Sequence, residues 1–281
     1  MSDGADKNSF VQKVREGDTD TVKRSLEGGM DPNKAYENGT TALIEAAKSG
    51  HRELVELLLE NGADIGGRDE KYGGTALIWA ALRGHTDTVA LLLEKGADIS
   101  ATENRNGMTA LILAAVQGQT DTIKFLLEKG ADIDSRDKDG RSALMWAAHH
   151  GHAAAVEALI HRGADIEATD NQFGMTALIS ATAQNQAATI EVLLDNGAKI
   201  NARMKDRRTA LMLAALMGHA DTVRLLLERG TEINARDSGQ YTALSLAKAH
   251  KKSDIVGILE KAGAVEGKNL NDKTTKTFQI K

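Results

Sequence analysis

The side chains best equipped for chemistry form one cluster and one recurring series. His149, His150, His152 and His161 lie close together, and neutral imidazoles at short spacing are common metal ligands. No His-Glu pair has a second histidine at the spacing of a helical zinc-hydrolase site. His152 is also in phase with His51, His85 and His219, each directly after a glycine. That repetition assigns it to a turn, where we expect a local hydrogen bond. The series is acidic: Asp64, Asp98, Asp132 and Asp165 each follow a Gly-Ala pair, which points to loop capping. Ser142, Ser180 and Ser245 lack the strand-to-helix glycine context of an activated nucleophile. The glycines never cluster into a phosphate-binding loop. These readings predict no catalytic residue, no metal, no cofactor and no enzymatic activity.

The composition narrows the class further. The chain has 281 residues, 41% hydrophobic and 27% charged, enough apolar surface for a core. Its 35 basic and 40 acidic residues give a net charge of -5, so nucleic acid is a disfavoured partner. It has no cysteine, hence no disulfide or thiolate chemistry. No apolar run approaches the ~20 residues that span a bilayer, and Met1 to Lys7 is polar, unlike a secretion signal. We expect a soluble, cytoplasmic monomer without membrane insertion. A single proline beside 27 glycines suggests that glycine fills a repeated structural position.

That position is easily found. Thr-Ala-Leu begins at Thr41, Thr75, Thr109, Thr176, Thr209 and Thr242, with Ser-Ala-Leu at Ser142, in steps of 33 or 34. A glycine follows each start at one offset, from Gly62 through Gly263. In the copy at Thr75 the threonine is a good helix N-cap. Ala76 to Arg83 then makes a short helix that Gly84 ends in the left-handed region. A second helix follows, with Val89, Leu92 and Leu93 facing inward, and Gly96 closes it before a polar loop. Helices this short are marginal alone, so neighbouring units must stack into one core. The paired Ala80 and Ala81 let helix backbones approach closely.

These residues resemble the ankyrin repeats: Thr-x-Leu, the alanine pair, Gly-His, Val-x-x-Leu-Leu and Gly-Ala-Asp, over roughly Asn8 to Ala264. Thr-Ala-Leu-Ile or Thr-Ala-Leu-Met stands where that family usually has Thr-Pro-Leu-His. The resemblance implies an all-α repeat solenoid, an ankyrin-type stack of eight helix–turn–helix units joined by hairpin-like loops. We divide the chain into an N-terminal capping repeat (1–31), six full repeats (32–241), a C-terminal capping repeat (242–264) and a polar, mobile tail (265–281). Thr274 to Ile280 is the tail segment most able to dock as an extended piece. The unit at Thr176 should be the softest, because Asn185 replaces glycine and Thr182 replaces alanine.

The resemblance also implies a function in binding. In such a stack the concave side is made by inner helices and loop tips, and positions that vary between copies there are free for recognition. The inner-helix ends carry Lys48-Ser49, Leu82-Arg83, Val116-Gln117, His149-His150, Ala183-Gln184 and Leu216-Met217. Trp79 and Trp146 share one inner-helix position, and Tyr36, Tyr72, Phe173 and Tyr241 lie near loop tips with Arg105, Arg141, Arg207 and Arg208. Aromatic residues and arginine are favoured at binding hot spots. Arg203, Lys205, Arg207 and Arg208 around Asp206 suggest a basic spot for an acidic partner segment. The candidate partner-binding residues are therefore Tyr72, Trp79, Leu82, Arg83, Arg105, Val116, Arg141, Trp146, His149, His150, Phe173, Arg207, Arg208, Leu216, Met217 and Tyr241. The expected function is a protein–protein interaction scaffold for a protein or peptide. The alternative is an inhibitory module, of immunity or anti-defence type, that blocks a partner enzyme. An activity assay on a captured partner separates the two.

Overall fold

The computed structural model describes residues 3–268. Among them it contains sixteen α-helices and no strand. The first eight are α1 (Asp3–Glu16), α2 (Thr19–Glu27), α3 (Ala42–Ser49), α4 (Arg52–Glu60), α5 (Ala76–Arg83), α6 (Thr86–Glu94), α7 (Ala110–Val116) and α8 (Thr120–Glu128). Then come α9 (Ala143–His149), α10 (Ala153–His161), α11 (Ala177–Ala183), α12 (Ala187–Asp195), α13 (Ala210–Met217), α14 (Ala220–Glu228), α15 (Ala243–Ala249) and α16 (Ser253–Lys261). The fold class is the expected one, an all-α repeat of helix–turn–helix units. The described residues form two compact units, one reaching Ala143 and including His161–Ala164, the other comprising Leu144–Ile160 and the chain from Asp165 onward.

In the first unit the inner helices pack in sequence, α1 on α3, α3 on α5 and α5 on α7, with a parallel outer row of α2, α4, α6 and α8. In the second, α11, α13 and α15 form an inner row, and α12, α14 and α16 an outer one. Each threonine cap works as expected: the backbone N–H of Ile44, Ile78, Ile112, Ile179, Met212 and Ser245 donates to the hydroxyl of the threonine three residues earlier. Ala80 and Ala81 are fully buried, which lets α3, α5 and α7 approach. Asp64, Asp98, Asp132 and Asp165 each accept a backbone N–H two residues on, closing the loop after each outer helix.

Two expectations are corrected. Leu93 is only half-buried, while Thr88, one residue before Val89, is in the core. The helical turn of about 100° per residue puts the apolar seam on Thr88, Val89 and Leu92 and leaves Leu93 at its rim. His51, His85 and His219 do not bond locally. The Nε2–H of His51, His85 and His219 faces the carbonyl of Arg15, Lys48 and Ala183 in the preceding repeat, at 2.9, 3.1 and 3.3 Å. Gln119 does the same to Leu82. These clamps supply polar links between neighbouring repeats.

Asn185 does take the left-handed conformation, with φ 55°. Its Oδ1 accepts a hydrogen bond from the Thr222 hydroxyl at 2.7 Å, a link to the next repeat that glycine could not make. In the same unit Thr189 is fully buried in α12 with no hydrogen-bond partner for its hydroxyl. Thr189→Val keeps the shape and removes that unpaired group. It should stabilise the repeat by about 1 kcal/mol, visible as slower amide exchange in α12 with α14 little changed. Faster exchange in α12 would show that the hydroxyl is satisfied.

The chain does not leave the last repeat at Ala264. Val265 N–H donates to Asn234, Gly267 N–H to the Thr242 and Ser245 hydroxyls, and Lys268 N–H to the Gln240 carbonyl. The segment Thr274 to Ile280 lies outside the described residues.

Candidate functional site

The first unit gathers cations and aromatic rings at one end of its inner helices. Arg15, Lys48 and Arg83 each sit in the last turn, of α1, α3 and α5, where positive charge is favoured by the unpaired carbonyls of the helix end. Together with Glu45, Ser49 and His85 they line an open depression of about 500 Å³. A smaller hollow of about 160 Å³ shares Arg15, Glu45 and Lys48 and adds Lys71, Tyr72 and Trp79.

Two of the three lining carboxylates are committed; the third, Glu37, lines the smaller hollow and is exposed. Glu45 is buried, accepts from the Thr40 hydroxyl at 3.1 Å and pairs with Arg15 Nε at 2.7 Å. Burial pushes its carboxyl up, but Arg15, joined by Lys48 and the Thr40 hydroxyl, holds it below the usual carboxylate range. Asp69 is also buried and accepts from Tyr72 N–H at 2.7 Å, Gly74 N–H at 3.0 Å and Trp79 Nε1–H at 2.8 Å. It therefore folds the loop over the indole. Tyr72 meets Trp79 edge-on, with ring centroids 5.7 Å apart. Lys71 lies 4.8 Å from the Tyr72 ring and Lys48 lies 5.1 Å from the Trp79 ring, cation–π contacts that hold these side chains in place. Lys71 also lowers the Tyr72 hydroxyl's pKa.

A second cluster lies in the second unit. Trp146 stacks on His150, with centroids 5.8 Å apart, and meets His149 edge-on at 5.8 Å; His150 stacks on His152 at 6.0 Å. Burial, and then the His152 charge, pushes the His150 pKa down, which disfavours the charged ring. Among the described residues no three His, Asp or Glu side chains are placed to hold a metal ion.

The remaining expected residues divide. Phe173 and Met217 are exposed, at 39% and 41%. Leu82, Val116 and Leu216 are half-buried, and Arg105 and Arg207 are exposed. Tyr241 is a correction: its ring is buried and its hydroxyl has no hydrogen-bond partner, so it presents little surface. The reason is phase. Tyr241 directly precedes a threonine cap, as do Gly74 and Met108, which are likewise buried. Arg208 has the same position and lies between Asp206 and Asp237, at 3.3 and 3.8 Å. Arg141 shares it too and pairs with Asp139 at 3.9 Å. Of the four cations of the expected basic spot, Arg203 and Arg208 are paired with acids, while Arg207 is exposed. Arg203 pairs with Glu232 at 3.2 Å, and Lys205 donates to the Asn171 carbonyl. Tyr36 is packing as well, stacked on Phe10 at 6.0 Å, its pKa pushed up to about 12 by burial and then by Asp31.

Sequence reasoning did not select Arg15, Glu45, Lys71 or Asp69. Asp69 belongs to a recurring loop position with Glu103, Asp137, Asp170 and Asp237, all buried. That register of acids at the loop start was the available signal.

A family model for ankyrin repeats matches residues 10–103, 100–170, 168–237 and 204–274. The chain belongs to the ankyrin-repeat family. It is 44% identical over 55 residues to an ankyrin repeat-containing protein of Schizosaccharomyces pombe, 45% identical over 56 residues to the potassium channel AKT1 of Oryza sativa, and 40% identical over 55 residues to myotrophin of Xenopus tropicalis. Each match covers 20% of this chain, and 27%, 6% and 47% of those proteins respectively. Ankyrin repeats are in general protein–protein interaction modules. Among the described residues no helix is long and apolar enough to cross a membrane.

Proposed function

We propose that this chain is a non-enzymatic interaction module that binds a protein or peptide partner along its inner-helix ends and loop tips. The observation that carries this reading is the gathering of Trp79, Tyr72, Lys48 and Arg83 around two neighbouring hollows, while the repeated Ala-Leu pairs of the inner helices are buried in the fold. A preformed surface of this kind loses little ordering entropy on binding, and aromatic and arginine side chains supply most of the energy at such surfaces. Fold alone does not name the partner.

A photo-crosslinking amino acid placed at Leu82 or Met217, and for comparison at the exposed outer-helix positions Glu53 or Arg224, tests the assignment in native extract. Discrete protein adducts are expected from the inner positions and not from the outer ones. Equal adduct patterns from both faces would reject it.

A further inference from the structure

The larger depression of the first unit is lined by three cations, Arg15, Lys48 and Arg83, against one carboxylate, Glu45. The buried carboxylates of the two hollows are already engaged, Glu45 by Arg15 and Thr40, Asp69 by the indole and two backbone amides. Lys48, Lys71 and Arg83 have no ion-pair partner among the described residues; Lys48 and Lys71 rest on rings, and Arg83 is exposed. Arg15 pairs with Glu45 through Nε and also lines the depression. This excess stands on a chain whose net charge is -5, so it is local. It is also short: the corresponding end of α7 is Val116 followed by Gln117, both uncharged.

Spacing then specifies the ligand. Arg15, Lys48 and Arg83 come from three successive inner helices, and packed helix axes lie about 8–10 Å apart. An extended peptide advances about 3.3 Å per residue, so it crosses one helix roughly every three residues. A long polyanion such as nucleic acid would run beyond the cations onto uncharged helix ends, where it gains no further phosphate contacts.

We propose that this depression receives an extended acidic segment of a partner protein, with carboxylates at about every third residue meeting Arg15, Lys48 and Arg83 in turn, and an apolar side chain against Trp79 and Tyr72. The inference rests on the interaction-module reading above and names the chemistry of its partner.

Trp146→Phe leaves Trp79 as the sole tryptophan, whose emission then reports on the depression. The probe is a synthetic peptide of about nine residues, one carboxylate for each of three helices, with glutamate at every third position and one leucine. The expected result is saturable binding that shifts Trp79 emission, weakens at higher salt, and weakens about tenfold or more in the Lys48→Ala, Arg83→Ala double variant. Arg224→Ala, on the exposed face of an outer helix, should leave it unchanged, and a peptide with lysine in place of glutamate should not bind. Circular dichroism confirms that the variants are folded, since both altered side chains lie at the surface. No binding, binding indifferent to the double variant, or tighter binding of a single-stranded oligonucleotide would overturn the proposal. If inner-face crosslinks persist while the peptide fails, only the acidic-segment inference falls. If both fail, the interaction-module reading falls with it.

Discussion

Asp69→Ala should destabilise the second and third repeats by about 3 kcal/mol, because three donors lose their acceptor at once and a buried unsatisfied group costs about 1–3 kcal/mol each, less whatever water recovers. The three are the Tyr72 and Gly74 amides and the Trp79 indole N–H. Tryptophan emission should move to the red as the indole is released toward water. Asp69→Asn keeps one acceptor oxygen and should lose about half as much. Chemical denaturation followed by Trp79 fluorescence in the Trp146→Phe background reads both effects. An alanine variant within about 0.5 kcal/mol of its parent would show that the loop does not depend on this carboxylate. Because Asp69 holds the ring that lines the hollow, the same variant links loop folding to the shape of the site.

Gly50→Ala should cost about 2–3 kcal/mol, and Gly62→Ala only about 1 kcal/mol, although both residues have positive φ. The left-handed conformation alone costs about 1–2 kcal/mol for a residue with a Cβ. At Gly62 a Cβ would meet nothing within 4 Å, whereas at Gly50 it would lie 2.6 Å from the His85 ring. His85 must then swing away and give up its bond to the Lys48 carbonyl, adding about 1 kcal/mol. Amide exchange in α3 and α6 gives the local readout that an array of weakly coupled units requires. Equal effects at the two glycines would remove the inter-repeat role assigned to the histidine.

The fold was legible in the sequence because its signals are local and repeated. Threonine caps, glycine stops and the alanine pair each satisfy a requirement within one or two turns. The core stripe differs from the expected one at Leu93, since hydrophobicity alone favours leucine over Thr88, and only packing shows that Thr88 is buried and Leu93 only half-buried. The site was legible in part. Tyr72, Trp79 and Arg83 were identified because they break the pattern of the copies. Arg15 lies in the degenerate first copy, and Lys71 next to an aromatic that drew the attention. Tyr241 failed for the opposite reason: an aromatic near a loop was read as a tip residue, though its phase, directly before a cap, turns it inward. Glu232, the counter-charge of Arg203, comes from the following loop and is not legible within one copy, whereas Asp206 beside Arg208 is.

Adjacent loops are tied by a single rung of backbone: the amides of Asn104 and Lys138 in the first unit donate to the carbonyls of Tyr72 and Asn106, and those of Lys205, Ser238 and Lys268 in the second to Phe173, Asp206 and Gln240. No side chain takes part in these rungs. Alphabet and grammar are thereby separated: the protruding letters at 72, 106 and 173 can be rewritten by mutation while the main chain that spaces them keeps its register, so a new vocabulary of partners is open to this lineage without a new fold.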